Sequence, residues 1–227
     1  MTIATRFGTV ILGATLFALP AAAATPPAPT LHSVAAVING MQSQWQNLTS
    51  YQVPVTLSGS VRASFVSVPF TIKGTEYYRA PDKQALHLDS APAIAQQFQN
   101  TVTSMGTPQT WPLNYSMTLK GTQLHNKHLA YVLLGTPKNG GSTVKTVTMY
   151  VSAKSFAVET VVFAYQNGSA LDLEFSHHGR SPYHLPTRIN VSAKFPSYGG
   201  TAQIQYGNYQ TNIPIPDSAF QPDNSDG

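Results

Sequence analysis

Two hydrophobic periods divide the chain. Between residues 30 and 50, "TLHSVAAVINGMQSQWQNLTS" carries Leu31, Val34, Val37, Ile38, Met41, Trp45 and Leu48 largely at steps of three or four. That spacing predicts one helix with a single buried stripe. Thr30 or Ser33 can cap its start. Gly40 costs about 1 kcal/mol relative to alanine in a helix interior, so packing of the stripe has to outweigh it. From residue 52 the period becomes two. Val53, Val55, Leu57, Val61, Ala63 and Phe65 share one parity, and Thr56, Ser58, Ser60, Arg62 and Ser64 share the other. This is the pattern of a long strand buried on one side. The next strand sets Val68, Phe70 and Ile72 on one face and runs on to Tyr77 and Tyr78. "APDK" then turns the chain, because Pro81 fixes its own φ and Asp82 can bond the backbone ahead. Leu86 and Leu88 return to the apolar side.

The remainder reads as one further helix and a series of strands. Ile94, Phe98, Val102 and Met105 step by four, four and three, which predicts a short helix over residues 92–106. Alternation then marks strands through Leu113, Tyr115, Met117 and Leu119, through Leu129, Tyr131 and Leu133, and through Val147, Met149 and Val151. "FAVETVVFAY" is apolar on both faces, as expected of a central strand under a helix. "ALDLEFS" and "TRINVSAKF" form the clearest pair. Leu171, Leu173 and Phe175 face one way with Ile189, Val191, Ala193 and Phe195, so Asp172 and Glu174 are expected to meet Arg188 and Lys194 on the outer face. A last strand turns Ala202, Ile204 and Tyr206 inward. Nine or ten strands with one apolar face each, plus two helices that must cover something, predict a mainly β, α+β fold around an antiparallel sheet.

The amino end changes the picture. Arg6 precedes the apolar run "FGTVILGATLFALP", and the small residues "AAAAT" follow. That is the make-up of a secretory signal peptide, expected to span residues 1–24 with cleavage near Ala24. An apolar run of about 13 residues is too short to cross a bilayer comfortably. "TPPAPT", residues 25–30, reads as a Pro-rich tether, and residues 31–227 as a single domain. The chain has no cysteine. A lipid anchor on cysteine, disulfides and thiol catalysis are therefore excluded, and stability has to come from a sizeable core. Formal charge is +4, one less without Arg6, and only 10% of residues are charged. With no Lys/Arg cluster, nucleic acid is not an expected partner.

Catalytic chemistry finds little support. His125 and His128 stand three apart in a loop between strands, with no carboxylate nearby to complete a metal set. His177, His178 and His184 surround a Gly-Pro turn, which reads as a solvated loop. No GxSxG motif occurs, and Asp172 and Glu174 fall on the polar phase, so no carboxylate pair stands in an apolar setting. "GTPKNGGST" lacks the spacing of a phosphate loop and lies between strands as a hairpin connection. The sequons at Asn47, Asn167 and Asn190 would matter only in a eukaryotic secretory pathway. The expectation is a non-enzyme with no catalytic residue, metal or cofactor.

Several phrases, in their order, carry a family resemblance. They are the first helix ending in "LTSYQ", the strand-turn-strand "GTEYYRAPDK", then "MYVSAKSFAVETVVFAY", "HLPTRINV" and the ending "YQTNIPIPDSAF". In that order they resemble the periplasmic lipoprotein-carrier superfamily, LolA/LolB-like, over nearly all of the chain beyond the signal. The resemblance implies a curved antiparallel sheet, an incomplete barrel, with helices covering the concave face. It implies a periplasmic, non-catalytic protein that holds lipid, lipoprotein acyl chains or another hydrophobic cargo there. A sensor or scaffold working through an envelope protein partner is the other role the fold implies. Methionine and aromatic side chains adapt to variable apolar surfaces, so the expected lining is Trp45 from the helix with Phe70, Tyr115, Met117, Met149 and Leu173 from the sheet. A monomer is expected.

Overall fold

The computed structural model describes residues 32–63, 66–89, 107, 110–177, 183–196 and 198–221, which fall in one compact unit. Helix α1 spans Val34–Ser43, and Ser33 caps it by accepting a hydrogen bond from the Ala36 amide at 3.1 Å. The helix stops before Trp45 and Leu48, which the sequence pattern places on the same stripe. Those two follow in a turn at its end, and Val37, Met41 and Leu48 are buried in the core. The predicted helix over 92–106 lies outside the described residues.

Ten strands follow in a continuous antiparallel path: β1 (Ser50–Ala63), β2 (Val66–Arg79), β3 (Lys83–Leu88), β4 (Tyr115–His125), β5 (His128–Pro137), β6 (Val144–Ser152), β7 (Val158–Tyr165), β8 (Ala170–Ser176), β9 (Arg188–Lys194) and β10 (Gly199–Tyr206). Their order across the sheet is β3-β2-β1-β10-β9-β8-β7-β6-β5-β4, and the two-residue strand β11 (Gln210–Thr211) adds to β1. The end strands β3 and β4 do not pair, so the curved sheet stays open as a half-barrel. A bulge between Leu119 and Gly121 bends β4 against β5, and Gly121 takes φ 125°, which a side chain would resist. The curvature makes one face concave, and the inward parity of each strand lines it.

That parity agrees with the hydrophobic alternation along most strands. Val53, Val55 and Leu57 of β1, Val147, Met149 and Val151 of β6, Leu171 and Leu173 of β8, and Ile204 and Tyr206 of β10 are all buried. β7 sits well inside the sheet and buries Val158, Val161 and Phe163, in keeping with its apolar sequence. Three readings need correction. Leu113 does not begin a strand: it belongs to the four-residue helix α2 (Trp111–Asn114) and is exposed, while Trp111 turns inward. Nor do opposite charges face across β8 and β9, because the register sets Asp172 against Ser192 and Glu174 against Asn190. Leu129, at the hairpin end of β5, is exposed where the alternation predicts it inward.

The hairpin that joins β2 to β3 has a second task. Arg79 donates to the Ile215 carbonyl at 2.9 Å, pairs with Asp217 and lies 4.9 Å over the Phe220 ring; Lys83 reaches Asp217 at 3.2 Å. Hydrogen bonds from Arg79 and Lys83, and then their charges, hold the Asp217 carboxyl below its ordinary range. With His87 bonded to the Ala219 carbonyl at 2.8 Å, these contacts bind the carboxyl-terminal segment across the β3 edge, which would otherwise present unpaired backbone.

Candidate functional site

The apolar face is not closed everywhere. Beneath the end of α1 lies a cavity of ≈ 100 Å³, walled by Met41, Gln44, Trp45 and Phe156 above and by side chains from β1, β2, β3, β7, β8, β9 and β10 below. Its wall is mostly apolar: Val158, Leu173, Phe175, Ile189 and Ile204 contribute, with Trp111 at one end. This is room for a few heavy atoms rather than the several hundred Å³ of a typical drug-sized site.

Phe156 sets the roof. It sits after β6 with φ 58°, a conformation unfavourable for an aromatic residue, and stacks on Tyr131 at 6.0 Å. Gly40 makes room for it, because a Cβ there would stand 2.5 Å from the Phe156 ring. The glycine that weakens the helix by propensity is thus what allows α1 to approach. Gln44, just past the helix, donates its amide to the Ser155 carbonyl and pins the helix end to the same turn. Gly40→Ala is expected to lower stability despite the better helix former. A propensity gain of about 1 kcal/mol competes with an overpacking cost of about 1–3 kcal/mol. The thermal midpoint should drop by about 2–4 °C, measured by calorimetry.

The floor contains one charged side chain. Glu76 follows the inward parity of Ile72 and Tyr78 on β2 and is only 3% exposed. Tyr51 of β1 donates to Glu76 Oε1 at 2.5 Å, Gln84 of β3 donates to the same oxygen at 3.2 Å, and Tyr206 of β10 donates to Oε2 at 3.1 Å. Burial raises the Glu76 pKa, and the three donated hydrogen bonds oppose that rise only in part. Burial, then the negative charge on Glu76, push the Tyr51 and Tyr206 phenols well above their ordinary value. The aromatic belt continues outward: Tyr51 stacks on Tyr78 at 5.3 Å, and Trp45 packs edge-on against Tyr78 at 5.2 Å.

Of the six positions expected to line a cargo site, Trp45 and Leu173 border this cavity together. Met149 is 0% exposed, opposite Leu133 and Val161 in the packed part of the core. Phe70, Tyr115 and Met117 are half-buried on β2 and β4, packed against the core away from the cavity. Sequence reasoning did not single out Glu76, Gln84, Trp111 or Phe156. The signal for Glu76 was its parity: it stands two residues from Tyr78 and four from Ile72.

The histidines do not assemble. His125 bonds Thr160 Oγ1 at 2.8 Å and stacks on Tyr150 at 4.0 Å, while His128 is exposed. His177 and His184 border the cavity separately from them, and His178 lies outside the described residues. Among the described residues no group of three His, Cys, Asp or Glu side chains is placed to hold a metal ion.

No family model matches the sequence, and no curated protein matches it. Solved structures do. A LolA superfamily protein from Nitrosomonas europaea superposes with a TM-score of 0.56 at 15% identity, covering 85% of this chain and 99% of that one. A Vibrio parahaemolyticus domain assigned to outer membrane lipoprotein sorting gives 0.58 at 9% identity, covering 82% and 94%. The fold is LolA-like. A DUF1329 family protein from Desulfovibrio piger shares it, with a TM-score of 0.61 at 13% identity over 83% of this chain and 97% of that one. In this LolA-like sheet the cavity occupies the concave face.

Proposed function

We propose that the protein is a non-catalytic binding or carrier protein of the bacterial periplasm, which holds a lipid, a lipoprotein acyl chain or another hydrophobic cargo on the concave face of its sheet. The observation that carries this reading is the cavity under α1, open space bordered mostly by apolar side chains. The likeness to a lipoprotein-sorting domain supports the same reading. Trp45 and Leu173 serve as lining in this proposal. Phe70, Tyr115, Met117 and Met149 stand away from it, in or against the core, and are proposed as lining only for a longer chain that displaces half-buried neighbours. The protein is proposed to act as a monomer, without nucleic acid and without a cofactor.

A second reading is a sensor or scaffold that works through an envelope protein partner. It rests on Val66 and Val68, 64% and 57% exposed at the hairpin end of β2 on the same parity as Phe70 and Ile72, since clustered exposed apolar residues mark contact surfaces.

Native mass spectrometry of protein purified from the envelope without detergent tests the first reading. The expected result is a near-stoichiometric acyl-chain adduct. The chain has two tryptophans, and both Trp45 and Trp111 border the cavity. Titrating stripped protein with a long-chain alcohol should therefore shift tryptophan emission, with saturation. An adduct-free mass together with unchanged emission would overturn the carrier reading in favour of the scaffold.

A further inference from the structure

Every strand of the sheet ends on one of two rims, and the rim away from the end of α1 has a charge of its own. The β1–β2, β9–β10 and β7–β8 hairpins turn there and β6 begins there, since Arg62 opposes Gly199, Gly199 opposes Lys194, Lys194 opposes Ala170 and Val144 opposes Tyr165. The turns and strand ends of this rim, residues 59–69, 135–147, 165–170 and 191–202, contain Arg62, Lys138, Lys145 and Lys194 and no aspartate or glutamate. Asp172, opposite Ser192, stands one row further in. Lys138 donates to the Pro112 carbonyl at 2.7 Å. Arg62, Lys145 and Lys194 are exposed, and among the described residues none of them pairs with a carboxylate. At the other rim Arg79 and Lys83 share Asp217.

Apolar side chains reach solvent in the same place. Along the inward parity of β2, Ile72 is buried, Phe70 is half-buried, and Val68 and Val66 are exposed, so the stripe runs past the core to the hairpin tip. Val61 opposes Val68 from β1. In the neighbouring β9–β10 turn Phe195 stacks on Tyr198 at 4.8 Å, and Tyr165 of β7 tilts against Phe195 at 5.5 Å. Exposed valines, aromatic rings and unpaired cations thus occupy adjacent hairpin ends. A bilayer surface accepts each of them: apolar side chains enter the acyl boundary, aromatic rings sit at headgroup level, and Lys and Arg meet anionic lipid. The two valines alone would fit a protein contact equally well. The charges decide between the two, because lysine is depleted from protein interfaces and enriched where a chain lies on anionic lipid.

We propose that this rim docks the protein on the surface of an anionic phospholipid bilayer, with the β1–β2 tip among the headgroups and Arg62, Lys145 and Lys194 against lipid phosphates. The attachment is peripheral and salt-sensitive, since two valines bury little area and the cations act only within a Debye length of the surface. It needs no occupant in the cavity and so stands apart from the binding reading.

Sedimentation with vesicles tests it, using protein purified from the envelope without detergent. Vesicles of phosphatidylcholine containing phosphatidylglycerol are expected to bind it about tenfold or more tighter than phosphatidylcholine alone. Binding should disappear in about 1 M salt, where the Debye length falls to about 3 Å. Arg62→Gln and Lys194→Gln should each weaken it about fivefold, and Val66→Thr combined with Val68→Thr about tenfold. These positions are exposed and threonine keeps the shape and strand preference of valine, so the thermal midpoints should stay close to that of the unaltered protein. No binding to the anionic vesicles, equal binding to both kinds, or binding that survives every substitution would overturn the inference and leave Val66 and Val68 to a protein partner. The response of tryptophan emission to a long-chain alcohol should be the same in the threonine variant. Loss of that response in the unaltered protein, with vesicle binding intact, would overturn the binding reading and support this one.

Discussion

Aspartate in place of Met149 is expected to unfold the protein. Met149 is 0% exposed and stands between Leu133 and Val161 on neighbouring strands. A carboxylate there would lose its hydration and gain nothing. An uncompensated buried charge costs about 3–5 kcal/mol or more, a large part of the about 5–15 kcal/mol that holds an ordinary domain together. Urea titration followed by circular dichroism should find the variant unfolded or close to its midpoint without denaturant. Met117→Asp provides the contrast. Met117 is half-buried on β4, so water reaches the new charge and the loss should stay near 1 kcal/mol. A stably folded Met149→Asp protein would show that the packed part of the sheet is a second, wet compartment.

Glu76 carries the other large effect, and its sign depends on pH. Glu76→Ala leaves the Tyr51 and Tyr206 hydroxyls and the Gln84 amide without their acceptor, and should cost about 3 kcal/mol. Glu76→Gln keeps the shape and removes the charge. Burial raises the Glu76 pKa above 4.5, so the folded protein holds that proton more tightly than the unfolded chain does. Its contribution is complete below the ordinary glutamate range and declines as pH rises through the raised value, by at most about 1.4 kcal/mol per pH unit. Asp217 acts in the opposite direction, since its lowered pKa favours the folded state as pH rises. Subtracting the urea midpoints of Glu76→Gln from those of the unaltered protein between about pH 4 and about pH 8 isolates Glu76. The difference should grow in favour of the glutamine variant toward high pH. A flat difference would mean that the carboxylate is as comfortable inside as in water.

The comparison between sequence and fold turns on what sets each feature. Strands such as β1, β6 and β10 were legible because one face is buried, and a period of two records burial directly. The second residue class was hidden for the same reason. Glu76 occupies an inward position but carries a charge, so alternation reads it as an interruption, and the tyrosines that accommodate it come from positions 25 and 130 residues away. The charge pairing across β8 and β9 failed on register. The segment between these strands, residues 177–187, is too long to fix pairing as a tight turn would, and a two-residue difference in register decides which outward side chains meet. Of the cargo lining, Trp45 and Leu173 reach the cavity, whereas Met149, chosen on the same criterion, is enclosed. Periodicity separates inside from outside. It does not separate a filled interior from an empty one.

The order of the strands also dictates how the sheet can be made. From β4 to β10 each strand pairs with the next along the chain, and β1 to β3 form a second run of the same kind. One seam joins the two runs, where Val55 of β1 meets Tyr206 of β10. The hairpins of each run are local, whereas this joint requires a loop closure across most of the chain, which folds more slowly. A polypeptide that leaves a translocon amino end first would hold β1 without its partner until nearly all of it has emerged. Glu76 and Tyr206 face each other across that seam, so the bond to Glu76 Oε2 forms only when the two halves are joined, whereas those from Tyr51 and Gln84 lie within the β1–β3 run.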